Sequence, residues 1–158
     1  MSLKPPRDKN GTVIPHDHPG IFPEHWVIRR VSELYLVSDP KKGDHLRISS
    51  MAFQPSSGAN DGMSIDLQHE IEEAGLDPME YVTTPTWIGS VCFLVEHLRT
   101  ENFMVGSDPI EEGSPDVPEN PYHGQVWGNF SRGKRRRLQQ LCEWFVPIDG
   151  VALEASKP

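Results

Sequence analysis

What most constrains this chain is how little sequence separates its apolar runs. Short stretches rich in β-branched and aromatic residues follow one another from Trp26 onward, and only two segments carry helical spacing. A parallel strand pair needs a crossover of a dozen or more residues, usually a helix. The links here fall short of regular βαβ crossovers. The order strands, helix, strands, helix therefore predicts an α+β fold. We expect one small mixed or antiparallel sheet with two main helices, the C-terminal one amphipathic.

Composition divides the chain. Residues 1–25 hold five prolines and no sustained period, which predicts an irregular Pro/His-rich N-terminal arm. Residues 26–148 are expected to form a single α+β domain, and 149–158 a frayed tail. A chain of 158 residues suits one domain and needs no disulfide or metal to bury a core. With 15 prolines, 13 glycines and 36% hydrophobic residues, long polar loops should surround a modest core.

Trp26–Val31 and Leu34–Val37 are β-rich and end in a turn-forming run, Ser38 to Gly43. Leu46 to Phe53 begins with alternation and predicts a further strand. Pro55 to Gly62 reads as a loop, and Met63 to Leu67 alternates again. A helix over 68–74 follows, capped by Asp66 or Ser64 and closed by Gly75, where a positive φ is wanted. Trp87 to Arg99 fits both periods; a strand to Val95 and then a helical turn is expected. Phe103 to Gly106 and Gly124 to Trp127 are strand fragments. Between them, Ser107 to Pro121 holds four prolines and five acids and predicts a solvated loop. From Lys134 to Phe145, Leu138, Leu141, Cys142 and Phe145 recur at helical spacing, and Pro147 stops the helix. The expected core comprises Trp26, Ile28, Val31, Leu36, Ile48, Phe53, Ile65, Ile71, Val91, Phe93, Val95, Val126, Leu138, Leu141, Cys142 and Phe145.

Net charge is −8, which argues against broad binding to nucleic acid or anionic membrane, since both need a positive field. Cys92 and Cys142 both lie in apolar runs and read as buried, reduced thiols. No charged stretch and apolar core precede a cleavage site, and no apolar run approaches a membrane span. The expectation is a cytoplasmic protein. No cofactor motif is recognisable, and no cofactor is expected.

Three groups of residues carry candidate chemistry. The first is the start of the last helix. Five of the 15 basic residues fall within positions 132–137. Cations at a helix N-terminus are unfavourable by about 0.3–1 kcal/mol each, because free N–H groups already make that end positive. Ser131 as cap, Gly133 as a point of close approach, and Arg132, Lys134, Arg135 and Arg136 together predict a bound phosphate or carboxylate. The ordinary structural alternative is pairing with the acidic loop from Asp108 to Glu119. The glycine spacing excludes a Walker A loop.

The second group is Arg29 or Arg30 on the first strand, Ser49 and Ser50, and His123, which converge if their strands are neighbours. His123 is suited to general acid–base work near neutrality, with Arg30 as its partner in a catalytic site. A plain surface ladder of Arg30 and Arg47 against Glu33 and Asp44 is the alternative. The third group is His16, His18 and His25, metal-compatible side chains with Asp17 available behind them.

Two strings then resemble a known group. Leu46 to Phe53 contains Arg-x-Ser-Ser-x-Ala-Phe, and Asn120 to Gly128 contains Pro-x-His-x-x-Val-x-Gly. With Ile28-Arg-Arg30, they look like a family of short bacterial proteins, across most of Trp26 to Trp144. No established activity comes with that family, so the resemblance implies a fold unit. The Arg and Ser segment is also similar to ADP-ribosyltransferase folds, where such residues line a nicotinamide dinucleotide pocket; Glu96 and Glu143 are the available glutamates.

Three functions follow as expectations. The first is a binding or accessory protein that recognises a phosphate-bearing ligand or an acidic protein partner through the basic helix start. The second is an enzyme acting on nucleotide or nucleic acid: a nuclease, phosphotransferase or ADP-ribosyltransferase-like protein using His123 and Arg30. The third is a structural or assembly subunit. The oligomeric state is left open.

Overall fold

The structure, a computed structural model, describes residues 3–41, 45–56, 61–111, 113 and 118–153. The fold is α+β. Six strands form the main sheet: β1 (Trp26–Val31), β4 (Met63–Leu67), β5 (Gly89–Leu94), β6 (Met104–Ser107), β7 (His123–Trp127) and β8 (Glu143–Val146). Their spatial order is β6-β7-β4-β1-β5-β8, and every neighbouring pair is antiparallel. A second, smaller sheet pairs β2 (Leu36–Ser38) with β3 (Leu46–Ile48) antiparallel, and β3 with β9 (Val151–Ala152) parallel. The helices are α1 (Gln68–Glu73), α2 (Pro78–Val82), α3 (Val95–Thr100) and α4 (Arg132–Leu141). The single sheet expected from sequence is thus two sheets, and two shorter helices join the two main ones.

Side chains alternate across a strand, so the register assigns each residue to a face. Val27 pairs with Leu67 and with Phe93, and Met63 with Val126. These residues share one face and form the main core with Val31, Ile65, Val91, Val105 and Leu138. Phe53 meets Phe93 edge to face at 5.8 Å. Ile28 lies on the opposite face, where Ile71 of α1 and Val82 of α2 cover it. That second cluster is small; Cys92, Leu94 and Trp127 also lie on this face by register, and Arg30, Asp66 and His123 belong to its polar part.

Several elements differ from their sequence pattern. Residues 46–53 do not stay extended. The Ser49 hydroxyl accepts from Met51 N, and a 3-10 turn, Ser50–Ala52, replaces the end of the strand. The last helix stops at Leu141, and Glu143–Val146 forms β8 on the edge of β5. Phe145 is therefore a strand residue and, like Trp26, Leu36 and Leu141, is only partly buried. Helix α1 begins at Leu67 without a side-chain cap, so neither Asp66 nor Ser64 serves there. Gly75 does take the left-handed backbone, with φ of 81°. The tail is not frayed through 153, because Val151 and Ala152 pair with β3 and Leu153 is buried. Positions 154–158 lie outside the described residues, as do parts of the expected turn at 38–43 and of the loops at 55–62 and 107–121.

The arm packs on the body. Ile21 is buried, His18 N donates to Val105 O, and the Asp17 carboxylate accepts from Arg99 Nε at 3.0 Å and Val105 N at 2.9 Å.

Candidate functional site

The second face of the main sheet carries an unusual load for a strand surface. In register there, Asp66 of β4 lies opposite Ile28 of β1 and His123 of β7. Arg30 is on the same face, two residues along β1. A charged pair on strands is costly unless its members satisfy each other. Arg30 and Asp66 do. Arg30 donates from Nε to Asp66 Oδ2 at 2.8 Å and from Nη2 to Oδ1 at 3.0 Å. Asn120 Nδ2 donates to the same Oδ1 at 2.8 Å, and Tyr81 Oη donates to Asn120 Oδ1 at 2.8 Å. Asp66 is only 3% exposed. The Arg30 guanidinium lies 5.6 Å from the centre of the Tyr81 ring. Burial, then the charge on Asp66, pushes the Tyr81 hydroxyl above its ordinary value, so it donates its proton to Asn120 and keeps it.

Arg29 has a different use. Strands β1 and β4 pair only at Val27 with Leu67 and Ile28 with Asp66, and then part. The Arg29 side chain fills the parting. It donates from Nε and Nη2 to Ala52 O at 3.1 and 2.9 Å, and from Nη1 to Ser64 O at 2.8 Å. Burial lowers its proton affinity, though a guanidinium starts far above neutrality and stays charged.

Around this parting lies a cavity of about 430 Å³, within the roughly 300–1,000 Å³ of ligand sites. Its polar floor is Arg30, Asp66, Asn120 and His123; Trp87 and Ile110 add apolar wall. Two local devices position that wall. Trp87 sits in a turn closed both ways, with Trp87 N donating to Thr84 Oγ1 and Thr84 N to Trp87 O. Ile110 and Asn120 exchange backbone bonds at 2.9 and 2.8 Å, which fastens the two ends of the acidic loop together.

His123 is held by Asp108. Its Nδ1 lies 2.7 Å from the Asp108 carbonyl and 3.5 Å from the carboxylate. A carbonyl can only accept, so Nδ1 carries the proton, and in the neutral ring Nε2 is left as a lone-pair acceptor. Burial alone would raise the Asp108 carboxyl, but hydrogen bonds from His123 and Gln125 outweigh it and hold the group below its usual range. The arrangement supplies an oriented proton acceptor beside a guanidinium with N–H groups to spare. Neither cysteine joins it: burial pushes Cys92 and Cys142 up to about 12, so both are protonated thiols at neutral pH.

Of the residues singled out in the sequence, Arg29, Arg30 and His123 line this one cavity. Ser49 and Ser50 do not line it; they start the 3-10 turn. Arg30 is committed to Asp66 and so takes no part in the surface ladder considered above; Asp44, the acid expected opposite Arg47, lies outside the described residues. The basic helix start is elsewhere. Ser131 caps α4 by accepting from Lys134 N. Lys134 Nζ and Arg137 Nε both reach the Glu101 carboxylate, at 3.3 and 3.1 Å, and Arg135 donates to Phe130 O at 2.7 Å. Among the described residues the counter-charge to this helix start is Glu101; Glu112 and Asp116 of the acidic loop lie outside them. Arg132 and Arg136 are exposed.

The three histidines of the arm do not share a ligand set. His16 lies between Ile14 O and Ser107 N and packs on Trp127, 5.1 Å between rings. His18 bonds Lys4 O and Gly20 N. His25 stacks on His69 at 4.2 Å, and burial, then the His69 charge, lowers its affinity for a proton. Among the described residues, no group of three or more His, Cys, Asp or Glu side chains is placed to hold a metal.

Asp66, Asn120, Tyr81, Trp87 and Asp108 were not read from the sequence as site residues. Asp66 had a signal: an acid inside the alternating strand Met63 to Leu67, on its less apolar phase, needs a partner. The others sit in loops or a short helix, where nothing in the pattern announces a site. No helix among the described residues is long and apolar enough to cross a membrane. Comparison of the chain with protein-family models, with curated proteins and with solved structures returned no match.

Proposed function

We propose that the chain is a binding protein for a small organic ligand, seated in the cavity on the second face of the main sheet. One observation carries this reading: a linked polar chain, Arg30–Asp66–Asn120–Tyr81, centred on the buried Asp66, lines an open cavity while Arg30 keeps Nη1 uncommitted among the described residues. A buried ion pair is weak as a device for stability, since apolar residues of similar volume serve as well or better. A cavity floor of fixed donors and acceptors has a use when something binds to it. Binding is preferred to catalysis because His123 lacks a recognisable nucleophile among the described residues. Its orientation by Asp108 keeps an acid–base role as the extension of this reading.

The test is a fragment screen of the full chain by amide and side-chain NMR. Ligands should perturb His123, Trp87 and Asp66 together, and Trp87→Ala should weaken them while the rest of the spectrum stays native. Binding that maps away from the cavity, or no binding, overturns the reading.

A second reading is recognition of a phosphate-bearing ligand or an acidic protein partner by α4. It is supported by the exposure of Arg132 and Arg136 beside a helix end with no acid in its first turn. Arg132→Glu with Arg136→Glu should abolish binding of such an anion with little change in melting temperature; unchanged binding excludes it.

A further inference from the structure

We infer that the cavity takes a neutral, planar heterocycle that carries both an N–H and a C=O, the chemistry of an oxo-nucleobase or its nucleoside, and not a phosphate. The inference rests on the cavity being a ligand site, and it concerns what that site selects.

Charge is the first argument. The lining brings two guanidinium groups, Arg29 and Arg30, and two carboxylates, Asp66 and Glu119. The formal sum is zero, and the cation best placed on the floor, Arg30, is already bidentate to Asp66. A phosphate would give up its hydration for a site with no net positive field, at a cost that nothing on the floor offsets.

Hydrogen-bond capacity is the second. Arg29 directs Nε, Nη1 and Nη2 at backbone carbonyls. Asn120 uses Nδ2 on Asp66, and its Oδ1 accepts from Tyr81 Oη and Tyr122 N. Arg30 uses Nε and Nη2 on Asp66 and keeps the Nη1 hydrogens as donors. In its neutral form His123 presents Nε2 as an acceptor, because Nδ1 is committed to the Asp108 carbonyl. The floor therefore offers donors at Arg30 Nη1 and an acceptor at His123 Nε2, and a ligand that meets both brings an acceptor and a donor. An amide edge within a ring supplies both without charge.

Shape is the third. Trp87 presents an indole to the cavity and Ile110 an aliphatic surface. Aromatic side chains hold planar rings by stacking, and alanine substitution of such a platform weakens binding by roughly tenfold or more.

The experiment titrates the isotopically labelled full chain with uridine, guanosine, N3-methyluridine, D-ribose and inorganic phosphate, following the His123 ring nitrogens and the Trp87 indole. Saturable shifts at both sites with uridine or guanosine are expected, with an upfield move of Nε2 as it accepts a hydrogen bond. Binding should fall about tenfold in Trp87→Ala and be largely kept in Trp87→Phe. If uridine is the nucleoside that binds, N3-methyluridine, which lacks the donor, should bind at least tenfold more weakly. Equal binding of uridine and N3-methyluridine overturns the donor–acceptor assignment. Shifts with phosphate or ribose and none with the nucleosides overturn the ligand class while the cavity reading stands. If no nucleoside moves these signals but other fragments do, the class again fails alone. If nothing at all moves them, the cavity reading falls with it.

Discussion

The two faces of the main sheet are built from the same strands to opposite rules. One face is sealed: Val27, Ile65, Val91, Phe93 and Val126 are each at most 2% exposed and pack on α4 and the arm. The other face divides between a small apolar cluster under α1 and α2 and a polar cavity floor. An antiparallel sheet commonly leaves one face to water and polar side chains; here that face instead holds a nearly buried carboxylate paired with a guanidinium at a cavity. The difference teaches that the charge on β1 and β4 is positioned by the fold and does not generate it.

The largest expected effects set the faces against each other. On the sealed face, Phe93→Ala should cost about 3–5 kcal/mol in denaturant unfolding, through lost burial and a cavity. On the polar face, Asp66→Ala should cost a similar ~3–5 kcal/mol, because it leaves Arg30 and Asn120 buried without their acceptor. The comparison is sharpened by Arg30→Met with Asp66→Leu, which should recover most of that loss, since two apolar residues restore what one broken pair removes. A double variant as unstable as Asp66→Ala would break the comparison and make the ion pair a structural element.

Trp87→Ala should change stability by about 1 kcal/mol or less, since the ring sits in a surface turn over the cavity. A much larger loss in thermal unfolding would move Trp87 from the ligand's wall to the protein's own core.

At the start of α4, Glu101→Gln releases Lys134 and Arg137 together. The expected cost is a few tenths to about 1 kcal/mol, smaller in high salt. Insensitivity to salt would show that those contacts are not ionic in effect.

The smallest effect is acidic. The Asp108 carboxyl is held below its ordinary value in the folded chain. Its contribution is therefore present above the ordinary aspartate range and is lost as pH falls through the folded value. Asp108→Asn should flatten the acid limb of stability against pH; an unchanged limb would mean that His123 and Gln125 do not favour the charged carboxylate.

The strand runs were legible by composition or by alternation. Trp26–Val31 is rich in β-formers, Met63–Leu67 alternates, and their bounds are those of β1 and β4. The end of α4 was not legible. Leu138, Leu141, Cys142 and Phe145 fit a helix, yet β5 has a bare edge that Glu143–Val146 fills, and pairing overrode propensity. The site was half legible. Arg30 attracts notice as a charge inside a β-rich run, and His123 as a titratable side chain at the start of a strand. Their convergence depends on the order β7-β4-β1, which no local pattern encodes, and it is Asp66 on the strand between that joins them. The family likeness of Leu46 to Phe53 and Asn120 to Gly128 stands as a proposal alongside these readings.

The strand order has a consequence for how the chain is made. β1 comes first of the six in sequence, yet both of its neighbours, β4 and β5, are translated after it. While it waits, Trp26 to Val31 presents two bare edges and an apolar run to every other growing chain nearby. Arg29 and Arg30 interrupt that run with adjacent positive charges, the kind of gatekeeper that keeps a nascent strand from joining the wrong sheet. The same two arginines protect the polypeptide on the ribosome before there is a cavity for them to line.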